Sequence, residues 1–423
     1  MRITAKTVTG VEKMSEYIYD SIFAPTEAVK TVAEADGTPF YLYDEQGIRN
    51  SVCSIHEAFS QLNGHQNFFL IRENNNPSIL SILEKAGTGV SACSHTELLM
   101  AKNCGFSGER IIYEPSRVDR EAEVLAKQLD ATWMINGKDL LPKELPNRII
   151  LRYHPSEERL TSVQFAKVGK SKNGFCRPQL FEVLSELHSA GVAQLGLALQ
   201  VASYSIKPGF WEKKTEILLS LAETVKEKLG ISLWCIHIGE GPGLPYQPRV
   251  TAPTVLDEAE KVCRLFRERA GDHAPTLYTG VVRQLMEHNG IMVAKILEQR
   301  EIYNTYLILD AGIGHYLRPV LKQAYRHVSV LGKNQTENRR LYFLAGELPD
   351  EFDHPVLKGR MLPKVAPGDY CVFHDVGCGA RSMAMLYGCK SIAAEYLYKE
   401  NGQIVRIAPG RTEQEVLDFL TAL

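Results

Sequence analysis

Several charged residues of this chain are of the types that bind a small amino-acid-like molecule. Arg283 and Arg318 carry forked guanidinium groups, which bind carboxylates through paired hydrogen bonds. Asp350, the first residue of an acidic pair, could bind an ammonium group. These residue types suit a zwitterionic, amino-acid-like ligand.

Arg72 and Glu240 are candidate catalytic residues. Arg72 is expected to bind a phosphate, a carboxylate or an acyl group; the alternative is a salt bridge to Glu73 or Glu240. Glu240 would serve as a general base if burial raised its pKa, and otherwise it is a structural acid. Its glycine-flanked run, 239–243, lacks the spacing of a dinucleotide-binding fingerprint.

Cys378 is the third candidate catalytic residue. With His374 it could form a thiol and base pair, but a spacing of four on a strand or turn does not by itself bring two side chains together. The alternative is an inert core thiol, and the same holds for Cys93.

Composition excludes several functional classes. The 423 residues allow two or three domains, or one barrel with a smaller module, and a net charge of -2 favours neither a polyanion nor a membrane surface. No apolar stretch is long enough for a membrane span, and the N-terminal residues are too polar for a signal peptide. We therefore expect a cytoplasmic protein.

Metal and nucleic-acid sites are also excluded by pattern. The nine cysteines form no C-x-x-C pair, so we expect reduced thiols and no bound metal. The basic pairs Lys213–Lys214 and Arg339–Arg340 are isolated, and we expect them to be solvated rather than part of a nucleic-acid surface.

These residues would be positioned by an alternation of short β-rich runs and amphipathic helical segments. The eight runs are 67–71, 88–92, 111–114, 132–135, 149–153, 195–201, 233–238 and 276–280. Helical spacing of apolar residues marks 95–104, 178–190 and 211–229. Eight strand–helix units predict an α/β fold, a (β/α)8 TIM barrel, with active residues at the C-terminal ends of its strands.

The chain after about residue 290 has strands without long helices between them. Strands are predicted at 291–297, 305–310, 329–331, 340–344, 370–374 and 392–398, followed by a helix at 412–423. We therefore predict an antiparallel β-domain following the barrel. The ligand-binding barrel is assigned to 40–290, and the dimerising β-domain to 1–39 and 291–423.

A series of motifs, in order along the chain, resembles the fold-type III pyridoxal-phosphate decarboxylases, which include diaminopimelate, ornithine and arginine decarboxylases and share an alanine-racemase-like barrel. The motifs are GTPFYLYD (37–44), GVSACSHTEL (89–98), SKNG (171–174), GEG (239–241), DAG (310–312), RPVLKQAY (318–325), LPKVAPGD (362–369) and DVG (375–377). The resemblance implies the same barrel and β-domain. It also places Arg283, Arg318 and Asp350 where the family holds the distal carboxylate or amine of its substrate, so we expect these three residues to form the substrate-binding contacts. It also implies a homodimer with active sites at the interface, so that Asp350 and Cys378 would act in the partner's site.

The resemblance breaks at the position of the cofactor lysine. The family's Schiff-base lysine follows the first barrel strand, and Arg72 stands there instead. A guanidinium stays protonated and forms no imine with pyridoxal phosphate. Of the family's cofactor-binding residues, Ser203, Gly239 and Gly241 remain. Glu240, however, places a carboxylate in that loop, where it would repel a phosphate.

Other family positions are also changed. The histidine that stacks on the cofactor ring becomes Gln200, the acid that pairs with the ring nitrogen becomes Gly280, the phosphate tyrosine becomes Gly379, and the partner-chain cysteine becomes Pro349. The resemblance with these departures predicts that covalent pyridoxal-phosphate chemistry has been lost and that no cofactor is needed.

Three hypotheses follow. In the first, the protein binds an amino-acid-like metabolite and has a repurposed, cofactor-independent activity or none, with a specialised biosynthetic pathway as its setting. In the second, it is a non-catalytic subunit or regulator that pairs with itself or with an active paralogue. In the third, it is a decarboxylase that holds pyridoxal phosphate non-covalently or through another lysine, with Lys322 as the first candidate and a solvated Lys322 as the alternative.

Overall fold

The computed structural model describes residues 23–62, 64–155, 171–201, 204–247, 250–269, 274–335 and 337–422. Helix α1 (Thr26–Ala35) and strand β1 (Phe40–Asp44) come first. Eight parallel strands then close into a barrel. They are β2 (Gln66–Leu70), β3 (Gly89–Ala92), β4 (Ile111–Tyr113), β5 (Thr132–Ile135), β6 (Arg148–Arg152), β7 (Gln194–Ala198), β8 (Cys235–Glu240) and β9 (Thr276–Gly280). Every predicted barrel strand is confirmed.

Amphipathic helices cover the outside of the barrel. They are α2 (Glu45–Ala58), α3 (Pro77–Lys85), α4 (His95–Asn103), α5 (Arg120–Gln128), α6 (Arg177–Ser189), α7 (Phe210–Leu229) and α8 (Val255–Arg269). Side chains alternate along each strand, so Phe68 packs inside the barrel and Phe69 packs against the helices. The interior is filled by apolar residues, and this closes the barrel as a solid core with a mouth at the C-terminal ends of its strands.

The remaining strands form one sheet of nine. Besides β1 they are β10 (Gly290–Glu301), β11 (Thr305–Leu309), β12 (Val328–Val330), β13 (Arg340–Ala345), β14 (Arg360–Leu362), β15 (Tyr370–Phe373), β16 (Ala394–Tyr398) and β17 (Ile404–Ala408). Short helices α9 (Arg283–Met286) and α10 (Arg318–Lys322) lie within this part, and α11 (Glu413–Thr421) follows it. Among the described residues, no helix is both long and apolar enough to span a membrane.

The sheet is mixed rather than purely antiparallel. Strand β1 runs parallel to β16 and β11 runs parallel to β13, whereas the other pairings are antiparallel. Strands β1, β14 and β17 were not predicted. Strand β1 is buried along nearly its whole length, and β14 with three residues and β17 with half-exposed residues give no clear alternation. Because β1 pairs with β10 and β16, the proposed barrel domain of 40–290 includes one strand of this sheet.

Candidate active site

The mouth of the barrel gathers charged residues from the ends of four strands. Arg72 follows β2 in a short 3-10 helix, Glu114 follows β4, Arg152 ends β6 and Glu240 ends β8. The C-terminal ends of parallel strands in a closed barrel meet at one face. Sequence positions 168 residues apart, from 72 to 240, therefore face a common space.

Arg72 is exposed at this mouth and makes no ion pair with any carboxylate of the described residues. The protein atoms around the guanidinium reduce its hydration, which lowers its pKa, but Glu114 and Glu240 more than offset this, and the pKa is raised overall. Neither salt bridge considered from the sequence forms, since Glu73 pairs elsewhere and Glu240 acts on Arg72 from beyond contact distance. The charge of Arg72 thus remains available to an anion.

Glu114 is held opposite Arg72 by a fixed set of hydrogen bonds. Its Oε1 accepts from Arg152 Nη1 at 3.1 Å and from Asn136 Nδ2 at 3.1 Å. Arg152 Nη2 also donates to the carbonyl of Gln200 at 2.8 Å. These residues were not singled out from the sequence, because they share no motif and meet only when the barrel closes.

The Gly239–Gly241 loop is held in place by hydrogen bonds from its backbone amides to other groups of the protein. The amide of Gly239 donates to His237 Nδ1 at 2.9 Å, and the amide of Gly241 donates to the carbonyl of Gly280 at 3.3 Å. Gly239 has a φ of +73°, and a Cβ there would lie 2.9 Å from the carbonyl oxygen of Leu199, so only glycine fits. Two of the amides that a phosphate loop would offer are already engaged.

Lys214, on α7, is the main residue of the site that sequence analysis missed. The expectation that Lys213 and Lys214 are both solvated is wrong for Lys214, whose side chain is 0 % exposed. Burial lowers its pKa to about 8, against an opposing effect of Glu240. A signal was available, because Lys214 falls on the apolar stripe of α7 with Trp211 and Leu218, at three- and four-residue spacing.

Two of the predicted substrate-binding arginines are joined by one carboxylate. Glu73 Oε2 lies 3.1 Å from Arg283 Nη2 and 3.4 Å from Arg318 Nη1. A Cβ on Gly379 would lie 2.4 Å from Arg318 Nη1 and 3.2 Å from Glu73 Oε2. The ion pair between Arg318 and Glu73 therefore fills the space that a larger side chain at position 379 would need. Arg283 and Arg318 are brought together by their shared pairing with Glu73.

Cys378 and His374 do not pair with each other in the described part of the chain. Cys378 is buried, its thiol lies 3.8 Å from the carbonyl oxygen of Val282, and burial raises its pKa well above the ordinary value. His374 Nε2 is 2.7 Å from Ser329 Oγ. A catalytic role for Cys378 stays a prediction.

Of three further predicted residues, two lie apart from the barrel mouth and one is outside the described part of the chain. Asp350 accepts hydrogen bonds from the Tyr387 hydroxyl and from the amide of Phe352 at 2.8 Å. Lys322 is exposed at the end of α10. Ser203 lies outside the described residues, so its expected role with Gly239 and Gly241 stays a prediction.

Comparison with known families gives a match over residues 47–283, to the model described as the pyridoxal binding domain of pyridoxal-dependent decarboxylases. Two curated proteins are similar over most of the chain. Protein TabA of Pseudomonas amygdali pv. tabaci is 24% identical over 377 residues, covering 89% of each chain. Diaminopimelate decarboxylase of Methanothermobacter thermautotrophicus is 27% identical over 389 residues, covering 87% of this chain and 88% of that protein.

A solved structure shares the fold. It is a mutant of diaminopimelate decarboxylase from Helicobacter pylori complexed with L-lysine, with a TM-score of 0.83 and 20% sequence identity. The superposition covers 93% of this chain and 99% of that chain. At this level of identity the likeness supports the barrel and sheet architecture.

The family match corrects one expectation from the sequence. We expected no cofactor, and this is wrong, because the matched family is pyridoxal-dependent and the match includes the whole barrel. The changed residues around Arg72 alter the surroundings of the cofactor position and do not remove the chain from that family. With the barrel, the sheet and the matched model in agreement, this chain belongs to the pyridoxal-dependent decarboxylase family.

Proposed function

We propose that this chain is a divergent member of its family that binds an anionic, amino-acid-like ligand at the barrel mouth, and that it has lost lysine attachment of the cofactor after the first barrel strand. The observation that carries the proposal is Arg72, a permanent cation at the mouth without an ion-pair partner among the described residues. A guanidinium binds carboxylate or phosphate strongly and cannot form an imine.

The residues at the mouth differ from those that the family implies for its cofactor. Arg72 replaces the expected amine, and the amides of Gly239 and Gly241 are engaged within the protein. Lys214 Nζ, however, is a buried amine with no hydrogen-bond partner, and it lies beside Gly239. A carbonyl-bearing cofactor therefore fits this mouth through Lys214 and Arg72, in a changed arrangement.

When bound, pyridoxal phosphate supplies an electron sink for the electrons left by loss of a carboxylate. The residues of this chain would have separate roles around it. Arg72 would hold an anionic group of ligand or cofactor, and Glu240 would repel a second anion or accept a proton. Glu114, fixed by Arg152 and Asn136, would bind a ligand ammonium group.

An amino acid with a free carboxylate suits these charges. A relative of known structure was crystallised with L-lysine, which supports an amino acid as the ligand class. For Arg283 or Arg318 to contact a substrate, its ion pair with the shared Glu73 would have to break. We therefore propose Arg72 as the first carboxylate contact and these two arginines as supporting residues.

We also propose a homodimer that uses the sheet. Phe352, Met361 and Leu341 are large apolar residues of this part that are 46–69 % exposed, which is typical of a surface covered by a partner. Asp350 lies beside Phe352, so a partner's Asp350 could face the mouth. Light scattering should give twice the chain mass of 47.4 kDa, and a monomer at micromolar concentration would contradict the proposal.

Calorimetry tests the ligand proposal. We would titrate meso-diaminopimelate, L-lysine and glutarate into the wild type, Arg72→Gln and a control, Arg264→Gln, whose exposed arginine pairs with Glu212 on the outer helices. At least one ligand should bind, and Arg72→Gln should weaken it about tenfold or more, with Arg264→Gln unchanged. No binding by the wild type, or equal binding by Arg72→Gln, would refute the proposal.

Release of carbon dioxide separates the remaining alternatives. Turnover of a bound amino acid after addition of pyridoxal phosphate would support a working decarboxylase. Binding without any turnover would support the non-catalytic subunit or regulator.

A further inference from the structure

Lys214 is placed where the barrel mouth and α7 meet. Its side chain is 0 % exposed, and Nζ has no hydrogen-bond partner. A Cβ on Gly239 would lie 3.0 Å from this nitrogen, 2.9 Å from the carbonyl oxygen of Leu199 and 3.1 Å from Gln200 Cα. Nζ therefore lies at the C-terminal ends of β7 and β8, directly behind the backbone of the glycine loop.

A structural explanation for this lysine is weak. A buried ammonium group normally has ion-pair or hydrogen-bond partners, because removing it from water is costly. Lys214 forms no ion pair with any described carboxylate, and its one aromatic contact is the Phe210 ring, with Nζ 5.2 Å from the centroid. An apolar residue of similar length would continue the buried stripe of α7 better, so the fold gains nothing from an amine here.

The surroundings of Lys214 favour the neutral amine. Burial lowers its pKa to about 8, and Arg152 adds to this while Glu240 opposes it. Near neutral pH the neutral amine is therefore more populated than in an ordinary lysine. Only the neutral form has the free electron pair that attacks a carbonyl carbon.

We propose that Lys214 is a reactive amine that condenses with an aldehyde or ketone group of a molecule bound at the barrel mouth. Nζ attacks the carbonyl carbon, the carbon–nitrogen bond becomes double as the carbon–oxygen bond breaks, and the oxygen leaves as water with both amine hydrogens. No oxidant or reductant is needed.

Access to Nζ depends on the glycine loop. Gly239 has no side chain, and its backbone lies next to Nζ, since a Cβ there would be 3.0 Å from this nitrogen. Two hydrogen bonds, from the amides of Gly239 and Gly241, hold the loop in place. Condensation at Nζ therefore requires a shift of this end of β8 that breaks the bond to His237.

This inference rests on the proposed function for the location of the ligand and for the carbonyl-bearing cofactor beside Lys214, but the two are tested by different signals. Calorimetry with Arg72→Gln reports reversible anion binding, whereas the Lys214 test reports a covalent bond. The probes are pyridoxal phosphate and pyridoxal, which carry the same aldehyde with and without phosphate. After cyanoborohydride reduction, intact mass and peptide mapping would count and locate the adducts.

The variants are Lys214→Met and Lys213→Met, which differ by one position on α7. Lys213 is exposed and pairs with Glu216 at 2.6 Å, so it reports ordinary surface labelling. Methionine keeps the length of the lysine side chain in the buried stripe, and circular dichroism would verify that Lys214→Met is folded.

We expect one adduct per chain on Lys214 in the wild type and in Lys213→Met, and its loss in Lys214→Met. Its rate should rise about tenfold or more between pH 6 and 8.5, as the amine loses its proton. If pyridoxal labels Lys214 in the Arg72→Gln variant, the amine is reactive even where the proposed anion binding by Arg72 fails. Adducts spread over surface lysines with no excess at Lys214, or equal labelling of Lys214→Met, would overturn the inference.

Discussion

Arg283 Nη1 lies 2.5 Å from Glu287 Oε2, and both side chains are almost completely buried beside the barrel mouth. The second oxygen of Glu287 is 2.7 Å from Arg326 Nη2, so one carboxylate compensates two buried guanidinium groups. Arg283 is further held by Glu73. A residue expected to bind substrate is thus also part of the charged network that joins the barrel to the sheet.

Removing Glu287 should destabilise the fold strongly. Glu287→Ala leaves Arg283 and Arg326 buried without their shared carboxylate, and we expect a loss of about 3–5 kcal/mol in the free energy of unfolding. Urea denaturation measures it. The control is Glu298→Ala, whose exposed pair with Arg300 should change the value by less than about 0.5 kcal/mol. Equal effects of the two substitutions would contradict a structural role for the network.

Replacing Lys214 by methionine should stabilise the protein in a pH-dependent way. The folded-state pKa of about 8 is below the ordinary 10.5, so the unfolded chain binds more protons between these values and stability rises with pH there. The loss in the free energy of unfolding caused by Lys214 is therefore largest below pH 8. We expect Lys214→Met to gain up to about 3 kcal/mol at pH 7, falling toward zero above pH 10.

Denaturation of Lys214→Met and Lys213→Met at pH 7, 8.5 and 10 gives this comparison. Because Lys213 is exposed, Lys213→Met should give no comparable gain in the free energy of unfolding. A constant gain for Lys214→Met at every pH would mean better packing rather than removal of a buried charge.

Glu240→Gln should strengthen anion binding at the mouth. The substitution removes a negative charge that faces Arg72 and keeps the shape of the side chain. We expect affinity for meso-diaminopimelate to rise about tenfold in calorimetry, with no change for Glu260→Gln on the exposed side of α8. Weaker binding by Glu240→Gln would instead assign Glu240 to a contact with the ligand's ammonium group.

Cys378 should react slowly with iodoacetamide in the folded protein. It is buried and its thiol pKa is raised well above the ordinary value by burial, whereas Cys53 and Cys389 are exposed. Peptide mapping at pH 7.5 should show Cys53 and Cys389 labelled first, with Cys378 at least about tenfold slower. Rapid labelling of Cys378 would favour the nucleophilic role that its sequence context suggested.

Periodicity in the sequence determined the architecture of this protein. Eight short apolar runs with amphipathic helices between them allowed a parallel barrel to be predicted, because the side-chain periods of strands and helices differ. Three strands were missed. Strands β14 and β17 are short and pair with the strand just before them in the chain, whereas β1 pairs with β10 and β16, which are distant in the chain. The family motifs and the loss of the lysine at Arg72 were also readable from the order of residues alone.

Only the tertiary structure decided which charges meet. Glu73 neutralises Arg283 and Arg318 from positions 210 and 245 residues away, which left Arg72 as the cation available at the mouth. Lys213 and Lys214 are identical residues one position apart, and the 100° turn between them on α7 places one in water and the other against the glycine loop. Sequence gives the type of each side chain, but its protonation and partners follow from burial and distance, which exist only once the barrel has closed.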